Sequence, residues 1–367
     1  MVDGHSRYPQ LAIDLKKLRY NIDRVNELCR EKGVEVAGVI KGCTALPECV
    51  RQFAESDCRF IASSRLEQLE PLKNQGIEKP LMLIRIPMIS EAADVVRITE
   101  ISLNSDISVL RELNTQAGRY GRVHRVILMV DLGDLREGFW DREELLSAAL
   151  EVENKLDNLE LAGVGTNLGC YGAIAPTKEK LDELVECAEM IENDIGRRLD
   201  IISGGATTSL PRVITGDIPG RINQLRIGEG ILLAMTKEVQ ELWGIDISDM
   251  YTDAFTIRAE VIEVKKKPTY PVGEIMYDAF GKKPVYEDRG IRKRALIALG
   301  RVDYGSIEEI SPREAGITVV GASSDHTILD VEDAQREIKV GDIIELDITY
   351  ASLVYVSDSG NVVESYI

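Results

Sequence analysis

The feature that most constrains the fold of this 367-residue chain is an alternation of short apolar runs with helix-periodic segments between residues 34 and 234. Short apolar runs are typical of strands that are buried on both faces of a parallel sheet. Eight strands are predicted, at 36–41, 60–63, 81–86, 101–104, 126–132, 161–167, 201–204 and 224–228, with the last continuing over 230–234. Eight successive strand–helix units predict an α/β fold of the (β/α)8 TIM-barrel type, and a doubly wound open sheet is the alternative architecture.

Helices are predicted between these strands, where apolar residues recur at three- and four-residue spacing. The clearest lie at 66–75, 108–120, 142–156 and 177–195, and an earlier helix at 15–31 precedes the first strand. Asp14 stands directly before that first helix, where a carboxylate can accept hydrogen bonds from the free backbone N–H groups. We therefore expect Asp14 to cap the helix.

From about residue 250 the pattern changes to strands separated by proline-containing loops. Strands are predicted at 254–265, 295–300, 316–321, 327–331, 342–348 and 353–357, with few helical segments among them. We therefore predict two domains, a (β/α)8 barrel over residues 1–245 and a C-terminal all-β domain over residues 246–367.

The net charge of −18 limits the partners of the chain. Duplex nucleic acid and acidic membrane surfaces both attract lysine and arginine, so neither is expected as a partner. No apolar run approaches the ~18 residues of a membrane helix, and the first ten residues lack the apolar segment of a secretory signal. We therefore expect a cytoplasmic protein.

Cysteine and histidine are few and poorly placed for a metal site. The six cysteines form no C-x-x-C pair, and we expect reduced, mostly buried thiols. With only three histidines no H-E-x-x-H motif is possible, and no metal is predicted. His124 lies between arginines just before a predicted strand, where a surface position is expected.

The active site of a barrel lies at the carboxyl ends of its strands, and two charged residues stand there. Lys41 ends the first predicted strand, where partial burial would lower the pKa of its amine and favour a Schiff base with a carbonyl. An ordinary lysine reaching solvent is the alternative. Arg136 follows the fifth strand and could bind a carboxylate or a phosphate, unless the loop is simply a charged surface.

Two glycine-containing loops follow the seventh and eighth predicted strands, where phosphate sites of barrels often lie. They are residues 203–209, with the sequence SGGATTS, and residues 225–230, with the sequence LRIGEG. A lysine on the first strand together with a phosphate site suits pyridoxal phosphate or an aldolase of a phosphorylated sugar. Arg226 could decide between them. An arginine facing a pyridine nitrogen keeps that atom unprotonated, which favours brief formation of a carbanion and return of a proton over transamination.

These residues also resemble a known family, the alanine-racemase-like fold type III pyridoxal phosphate enzymes, in particular their ornithine/alanine racemase branch. The resemblance covers nearly the whole chain. The similar segments are residues 9–21 (PQLAIDLKKLRYN), Lys41, residues 130–138 (VDLGDLREG), residues 203–211 (SGGATTSLP), Arg226, residues 323–330 (SSDHTILD) and Tyr350. Each motif is moderately specific, and their common order and spacing make the resemblance specific.

The resemblance implies a role for each matching position. Lys41 would hold the cofactor and act as one catalytic base, and Arg226 would face the pyridine nitrogen. The implied cofactor-binding residues are Lys41, Asn167, Ser203, Thr207, Ser209, Arg226, Gly228, Glu229 and Tyr350. The implied substrate-binding residues are Arg136, Ser324, Asp325 and Arg301.

Two departures from the family pattern affect the second base and the substrate. Residues 300–305 read GRVDYG, so Arg301 occupies the position of the tyrosine that serves as second base in alanine racemases. Tyr304 or Asp303 is the expected replacement. Val130 stands where alanine racemases can carry a carbamylated lysine. Both changes point away from a strict alanine racemase, and Asp303 or Asp325 could receive a cationic substrate side chain.

The resemblance therefore implies an isomerase: a pyridoxal phosphate-dependent racemase of a free basic amino acid, ornithine or lysine, that moves a proton at the α-carbon. An alanine or broad-specificity racemase, an amino-acid decarboxylase of the same fold and a non-catalytic carrier of pyridoxal phosphate are the alternatives. The family also implies a homodimer. The sequence leaves open the preferred amino acid and the physiological direction.

Overall fold

The computed structural model describes residues 7–234, 241–278, 280–281 and 283–367. The chain divides into two compact units. One contains residues 18–251, and the other combines residues 252–367 with the segment before residue 18.

The strands, in chain order, are β1 Gln10–Ile13, β2 Glu35–Val39, β3 Phe60–Ser63, β4 Leu81–Leu83, β5 Ile101–Asn104, β6 His124–Met129, β7 Leu159–Gly165, β8 Ile201–Ser203, β9 Gln224–Ile227, β10 Phe255–Pro268, β11 Ile291–Ile297, β12 Ile310–Pro312, β13 Thr318–Ala322, β14 Thr327–Asp330, β15 Ile343–Ile348 and β16 Val363–Tyr366. The α-helices are α1 Leu15–Arg30, α2 Pro47–Ala54, α3 Leu66–Asn74, α4 Ala92–Ile98, α5 Ile107–Arg119, α6 Arg142–Lys155, α7 Lys178–Ile195, α8 Leu210–Thr215, α9 Glu229–Leu232, α10 Arg301–Tyr304 and α11 Tyr350–Asp358.

Strands β2 to β9 form a closed parallel barrel, which confirms the predicted fold class. Neighbouring strands pair in sequence order, and β9 closes the barrel by pairing with β2. The interior is filled by apolar side chains that alternate along the strands, as the two-residue period of a strand requires. They are Ala37, Val39, Phe60, Ala62, Met82, Ile101, Leu103, Ile127, Met129, Ala162 and Ile201.

The first helix, α1, begins where the sequence predicts. The Asp14 carboxylate accepts hydrogen bonds from the backbone N–H groups of Lys16 and Lys17, each at 3.0 Å. This confirms Asp14 as the cap of the helix, since these N–H groups have no partner within the first turn.

The last barrel strand is shorter than predicted. The extension predicted over 230–234 is wrong, because Glu229–Leu232 form the short helix α9. The Gly228 carbonyl accepts the backbone N–H groups of Ile231 and Leu232, each at 2.9 Å. A short, fully buried apolar run does not distinguish strand from helix by periodicity, which explains the error.

His124 lies inside β6 and is buried, so the prediction of a surface position is wrong. Its Nε2 atom lies 2.9 Å from the Ser102 hydroxyl on the neighbouring strand β5. Burial, with a smaller effect of Arg122, lowers the pKa of His124 to about 3. The arginine neighbours misled the prediction, because successive residues of a strand face opposite sides.

The second unit is an antiparallel sheet in the order β12–β15–β10–β11–β14–β13. Strand β1 joins it by pairing antiparallel with β10 and parallel with β16. The predicted domain division placed residues 1–245 in the barrel, whereas β1 belongs to this sheet. The strand predicted at 353–357 is wrong, since those residues lie in α11, where the Leu353 backbone N–H donates to the Thr349 carbonyl.

Within the described residues, no helix is both long and apolar enough to cross a membrane. The six cysteines are free thiols, and five of them are buried. Cys170 is the exposed one, and it lies in the loop after β7.

Candidate active site

The carboxyl end of the barrel brings several of the predicted site residues together, because parallel strands all end on one face. Lys41 follows β2, Arg136 follows β6, Asn167 follows β7 and Ser203 ends β8. Arg226 lies on β9 and connects two of these elements by hydrogen bonds.

The Arg226 side chain is 4% exposed and fixed in place. Its Nη1 donates to the Ser203 hydroxyl at 2.5 Å, and its Nη2 donates to the Thr166 carbonyl at 2.7 Å. Burial lowers the pKa of Arg226 to about 10, and Glu137 partly opposes that effect. These two bonds hold the guanidinium in the barrel mouth, where it can meet an acceptor such as a ring nitrogen.

Lys41 opens a single 3-10 turn, Lys41–Cys43, directly after β2. Its side chain is half-buried. Burial lowers the pKa of Lys41, and the charges of Arg136 and Arg226 lower it further, while Cys170 and Glu137 oppose the change. A lower pKa raises the neutral fraction of the amine, which is the form that attacks a carbonyl or accepts a proton.

The backbone after Lys41 is in an unusual conformation. Thr44 and Ala45 have φ angles of 47° and 54°, a region that L-residues with a β-carbon rarely adopt. Residues held in such conformations concentrate at functional sites, which agrees with a specialised turn at Lys41.

Asn167 carries an unpaired buried donor. Its Nδ2 atom is buried and has no hydrogen-bond partner among the described residues. The preceding residue, Thr166, is held on both sides, since its hydroxyl donates to the Val130 carbonyl at 2.9 Å and its own carbonyl accepts from Arg226. A buried amide N–H without a partner is costly, so a ligand in the barrel mouth would supply the missing acceptor.

The loops after β8 and β9 lie side by side. The Arg226 backbone N–H donates to the Gly205 carbonyl at 2.9 Å, and the Gly230 N–H donates to the Thr207 hydroxyl at 3.0 Å. Gly205 has a φ of 117°, which glycine adopts without strain. The Thr207 hydroxyl accepts in this contact, so its own proton is available to an anion.

Gly228, directly after β9, packs closely against the end of β2. A β-carbon at Gly228 would lie 3.1 Å from the Val39 β-carbon, so a side chain there would crowd the end of β2. Gly228 and Glu229 begin α9 and present backbone N–H groups at its start. Ser209 differs, because its hydroxyl donates to the Gly204 carbonyl at 2.7 Å and thereby stabilises the loop.

Taken as a set, these residues fit pyridoxal 5'-phosphate. The half-buried amine of Lys41 suits its aldehyde, and the loops at Thr207 and Gly228 suit its phosphate. Arg226 and the unpaired amide of Asn167 suit the ring.

The loop after β6 carries Arg136 and Glu137 as an ion pair. The Nε and Nη2 atoms of Arg136 both donate to the Glu137 carboxylate, and the Nη2–Oε1 distance is 2.7 Å. The side chain of Arg136 is 45% exposed, whereas that of Glu137 is 17% exposed. The sequence prediction named Arg136 and missed Glu137, although the LREG sequence shows an acidic residue next to the arginine.

Asp134 is a second acidic residue that the sequence prediction missed. It is 2% exposed, and its Oδ1 accepts the backbone N–H groups of Gly169 and Gly172, both at 3.1 Å. Its Oδ2 accepts the Tyr171 N–H at 3.0 Å. Asp134 therefore connects the loop of Arg136 to the loop that carries Cys170. No sequence signal identifies this contact, since the loops are 35 residues apart.

The side chains of Tyr304 and Asp303, predicted as alternative second bases, are buried and hydrogen-bonded within the β-unit. Tyr304 is fully buried, and its hydroxyl lies 2.8 Å from the Thr327 hydroxyl, which itself donates to the Leu299 carbonyl. Asp303 is buried and accepts hydrogen bonds from Ser359, Asn361 and the Gly300 backbone. Burial raises the pKa of Tyr304, and the hydrogen bond with Thr327 opposes that effect. These contacts bind both side chains into the β-unit.

Four other residues that were predicted to bind substrate or cofactor lie in the β-unit. The Arg301 and Val302 backbone N–H groups donate to the carbonyls of Ser323 and Ser324, at 3.0 and 3.1 Å. The Arg301 guanidinium lies 3.7 Å above the Phe280 ring. Asp325 is exposed and accepts a hydrogen bond from the Ser324 hydroxyl, and Tyr350 begins α11.

Comparison with solved structures supports the fold. An alanine racemase from a D-cycloserine-producing Streptomyces lavendulae superimposes with a TM-score of 0.75 at 17% identity, covering 99% of this chain and 98% of that structure. An alanine racemase from Clostridium difficile 630 gives a TM-score of 0.76 at 18% identity, covering 99% of this chain and 97% of that structure.

Sequence comparison supports the predicted family. Residues 13–235 match the family model of the alanine racemase N-terminal domain. Over 347 residues the chain is 41% identical to a protein named ornithine racemase from Acetoanaerobium sticklandii, covering 95% of this chain and 96% of that relative. Over the same length it is 39% identical to a protein named lysine racemase from Thermotoga maritima, covering 95% of each. The chain belongs to the alanine racemase family, as its motifs indicate.

Proposed function

We propose that this protein is a pyridoxal phosphate-dependent racemase of a free basic amino acid, ornithine or lysine. The observation that carries the proposal is 41% and 39% identity to relatives named ornithine racemase and lysine racemase over 95% of the chain. The barrel mouth supports it with residues that fit the cofactor: Lys41, Asn167 and Arg226.

Lys41 is proposed to hold the cofactor and then to move a proton at Nζ. Pyridoxal phosphate supplies, when bound, a conjugated ring that acidifies the bond between the amino acid's α-carbon and its hydrogen. The lowered pKa of Lys41 suits proton removal near neutral pH, because an efficient base has a pKa close to the working pH. Arg226 stays charged and holds its position by bonds to Ser203 and Thr166.

Arg136 is proposed to bind the substrate carboxylate. A guanidinium can make two parallel hydrogen bonds to a carboxylate, and Arg136 already makes that contact with Glu137. Its partial exposure leaves the group accessible to a substrate entering the barrel mouth.

Racemisation also needs a proton donor on the opposite face of the α-carbon. The side chains of Tyr304 and Asp303 are buried and bonded within the β-unit, which argues against either of them as this donor. We propose that the active unit is a homodimer located in the cytoplasm, and that the partner subunit contributes this donor.

Chiral chromatography tests the function directly. The purified protein would be incubated with pyridoxal phosphate and single L-amino acids: ornithine, lysine, arginine, alanine and serine. Conversion of ornithine or lysine towards equal amounts of both enantiomers, with alanine nearly unchanged, is the expected result. Conversion of alanine alone would refute the basic substrate and keep the reaction. Loss of substrate without a D-product would point to a decarboxylase, and no change in any sample would favour a pyridoxal phosphate carrier.

A further inference from the structure

A basic amino acid carries an ammonium group on its side chain, and a selective site needs an acidic partner for it. Two acidic residues near the sequence motifs of the site already have their carboxylates hydrogen-bonded within the protein. Asp134 accepts three backbone N–H groups, and Asp303 accepts three hydrogen bonds within the β-unit. The hydrogen bonds of Asp303 argue against its predicted role as the partner of the substrate cation.

Glu137 is an acidic residue of the barrel mouth, and it differs from Asp134 and Asp303 in its hydrogen-bond partner. Its carboxylate is bonded to Arg136, a neighbour that is itself expected to bind substrate. Glu137 raises the pKa of both Lys41 and Arg226, so its charge acts on the two cations at the centre of the site. At 17% exposure the carboxylate is largely withdrawn from water but still accessible.

The backbone around Glu137 is held rigidly. Gly138 has a φ of 133°, and a β-carbon there would lie 2.3 Å from the Asp131 backbone nitrogen. The Asp131 carboxylate accepts the N–H groups of Gly133 and Leu135, at 2.8 and 3.1 Å. The Phe139 N–H donates to the Met129 carbonyl at 2.8 Å, which closes the loop. A fixed loop keeps the carboxylate in one place, and such preorganisation favours selective binding.

We propose that Glu137 binds the side-chain ammonium of the substrate while Arg136 binds its α-carboxylate. The two side chains satisfy each other in the free protein and exchange that contact for the two charged ends of one basic amino acid. A neutral amino acid takes Arg136 but leaves Glu137 without a partner, which costs binding energy. This inference rests on the proposed function and names the residue that selects its substrate class.

The test compares ornithine with norvaline, which has the same carbon chain without the terminal amine. The ratio of kcat/KM for ornithine to kcat/KM for norvaline is measured in the holoenzyme and in Glu137→Gln, which keeps the shape and removes the charge. We expect the ratio to fall at least about tenfold, the effect of losing a hydrogen bond to a charged group. Glu144→Gln is the matched control, because Glu144 is exposed in the first turn of α6 and its loss changes the net charge equally.

Three outcomes would overturn the assignment. They are an unchanged ratio in Glu137→Gln, an equal loss of both activities, and a fall in the ratio in Asp325→Asn but not in Glu137→Gln. A wild-type protein that racemises no basic amino acid would instead refute the proposed function, so the two failures are distinguishable.

Discussion

Replacing Asp134 by asparagine should loosen one loop of the barrel mouth without unfolding the barrel. The substitution keeps the size of the side chain and its carbonyl oxygen. The remaining carbonyl oxygen can still accept the N–H groups of Gly169 and Gly172. The new amide nitrogen then faces the Tyr171 N–H, and because both groups are donors, no hydrogen bond forms between them. At least one hydrogen bond to a buried charged acceptor is lost.

The size of the expected effect on loop opening follows from the hydrogen bond that is lost. A hydrogen bond to a charged group contributes about 1.5–3 kcal/mol. At about 1.4 kcal/mol per factor of ten, the equilibrium for opening this loop should shift by roughly 10- to 150-fold. The loop continues directly from Asn167 and carries Cys170, so its opening also displaces groups near Lys41.

Hydrogen exchange followed by mass spectrometry measures this opening. Exchange over residues 166–176 should accelerate by that factor in Asp134→Asn, while the barrel strands keep their wild-type rates. Asp157→Asn, at an exposed position after α6, serves as the control. The racemisation kcat should fall in Asp134→Asn alone. Unchanged exchange over residues 166–176, or a uniform acceleration over the whole barrel, would refute the role assigned to Asp134.

Three further predictions follow from other contacts. Lys41→Ala should abolish racemisation, and a near wild-type rate in the chiral assay would contradict the proposed mechanism. Tyr304→Phe should retain the wild-type kcat but unfold at lower denaturant concentration, because the hydroxyl bonds Thr327; a large loss of kcat at full stability would return Tyr304 to the site. Since burial lowers the pKa of His124 to about 3, the unfolded chain binds a proton between about pH 6.5 and pH 3 that the folded chain excludes. The free energy of unfolding should therefore fall by about 3 kcal/mol from pH 7 to pH 4 because of His124. Denaturant titrations should show that this free energy depends less on pH in His124→Asn than in the wild type.

The barrel could be predicted from sequence because its strands are buried on both faces. Continuous apolar runs then mark the strands, and the strands at 60–63 and 101–104 are predicted to the residue. The β-unit was harder. Strands β1, β12 and β16 have three or four residues each, and their pairing depends on partners far away in the chain.

The site residues also divide into those that the sequence identifies and those that only the contacts in the structure reveal. Lys41, Arg136 and Arg226 were predicted because their positions at strand ends follow from the barrel itself. Asp134 and Glu137 were missed, because their roles depend on contacts between loops and on which of several acidic side chains is already bonded. The burial of Tyr304 could not be predicted, because a sequence shows a hydroxyl but not that the core of the β-unit encloses it.

The pairing of β1 with both β10 and β16 has a consequence for synthesis on the ribosome. All eight barrel strands are made after β1 and before either of its partners. The barrel can therefore fold while β1 still lacks both neighbours. The nascent chain should thus carry a folded barrel and an unpaired strand β1 until β10 has emerged, and the second partner, β16, follows only after the rest of the β-unit has been translated.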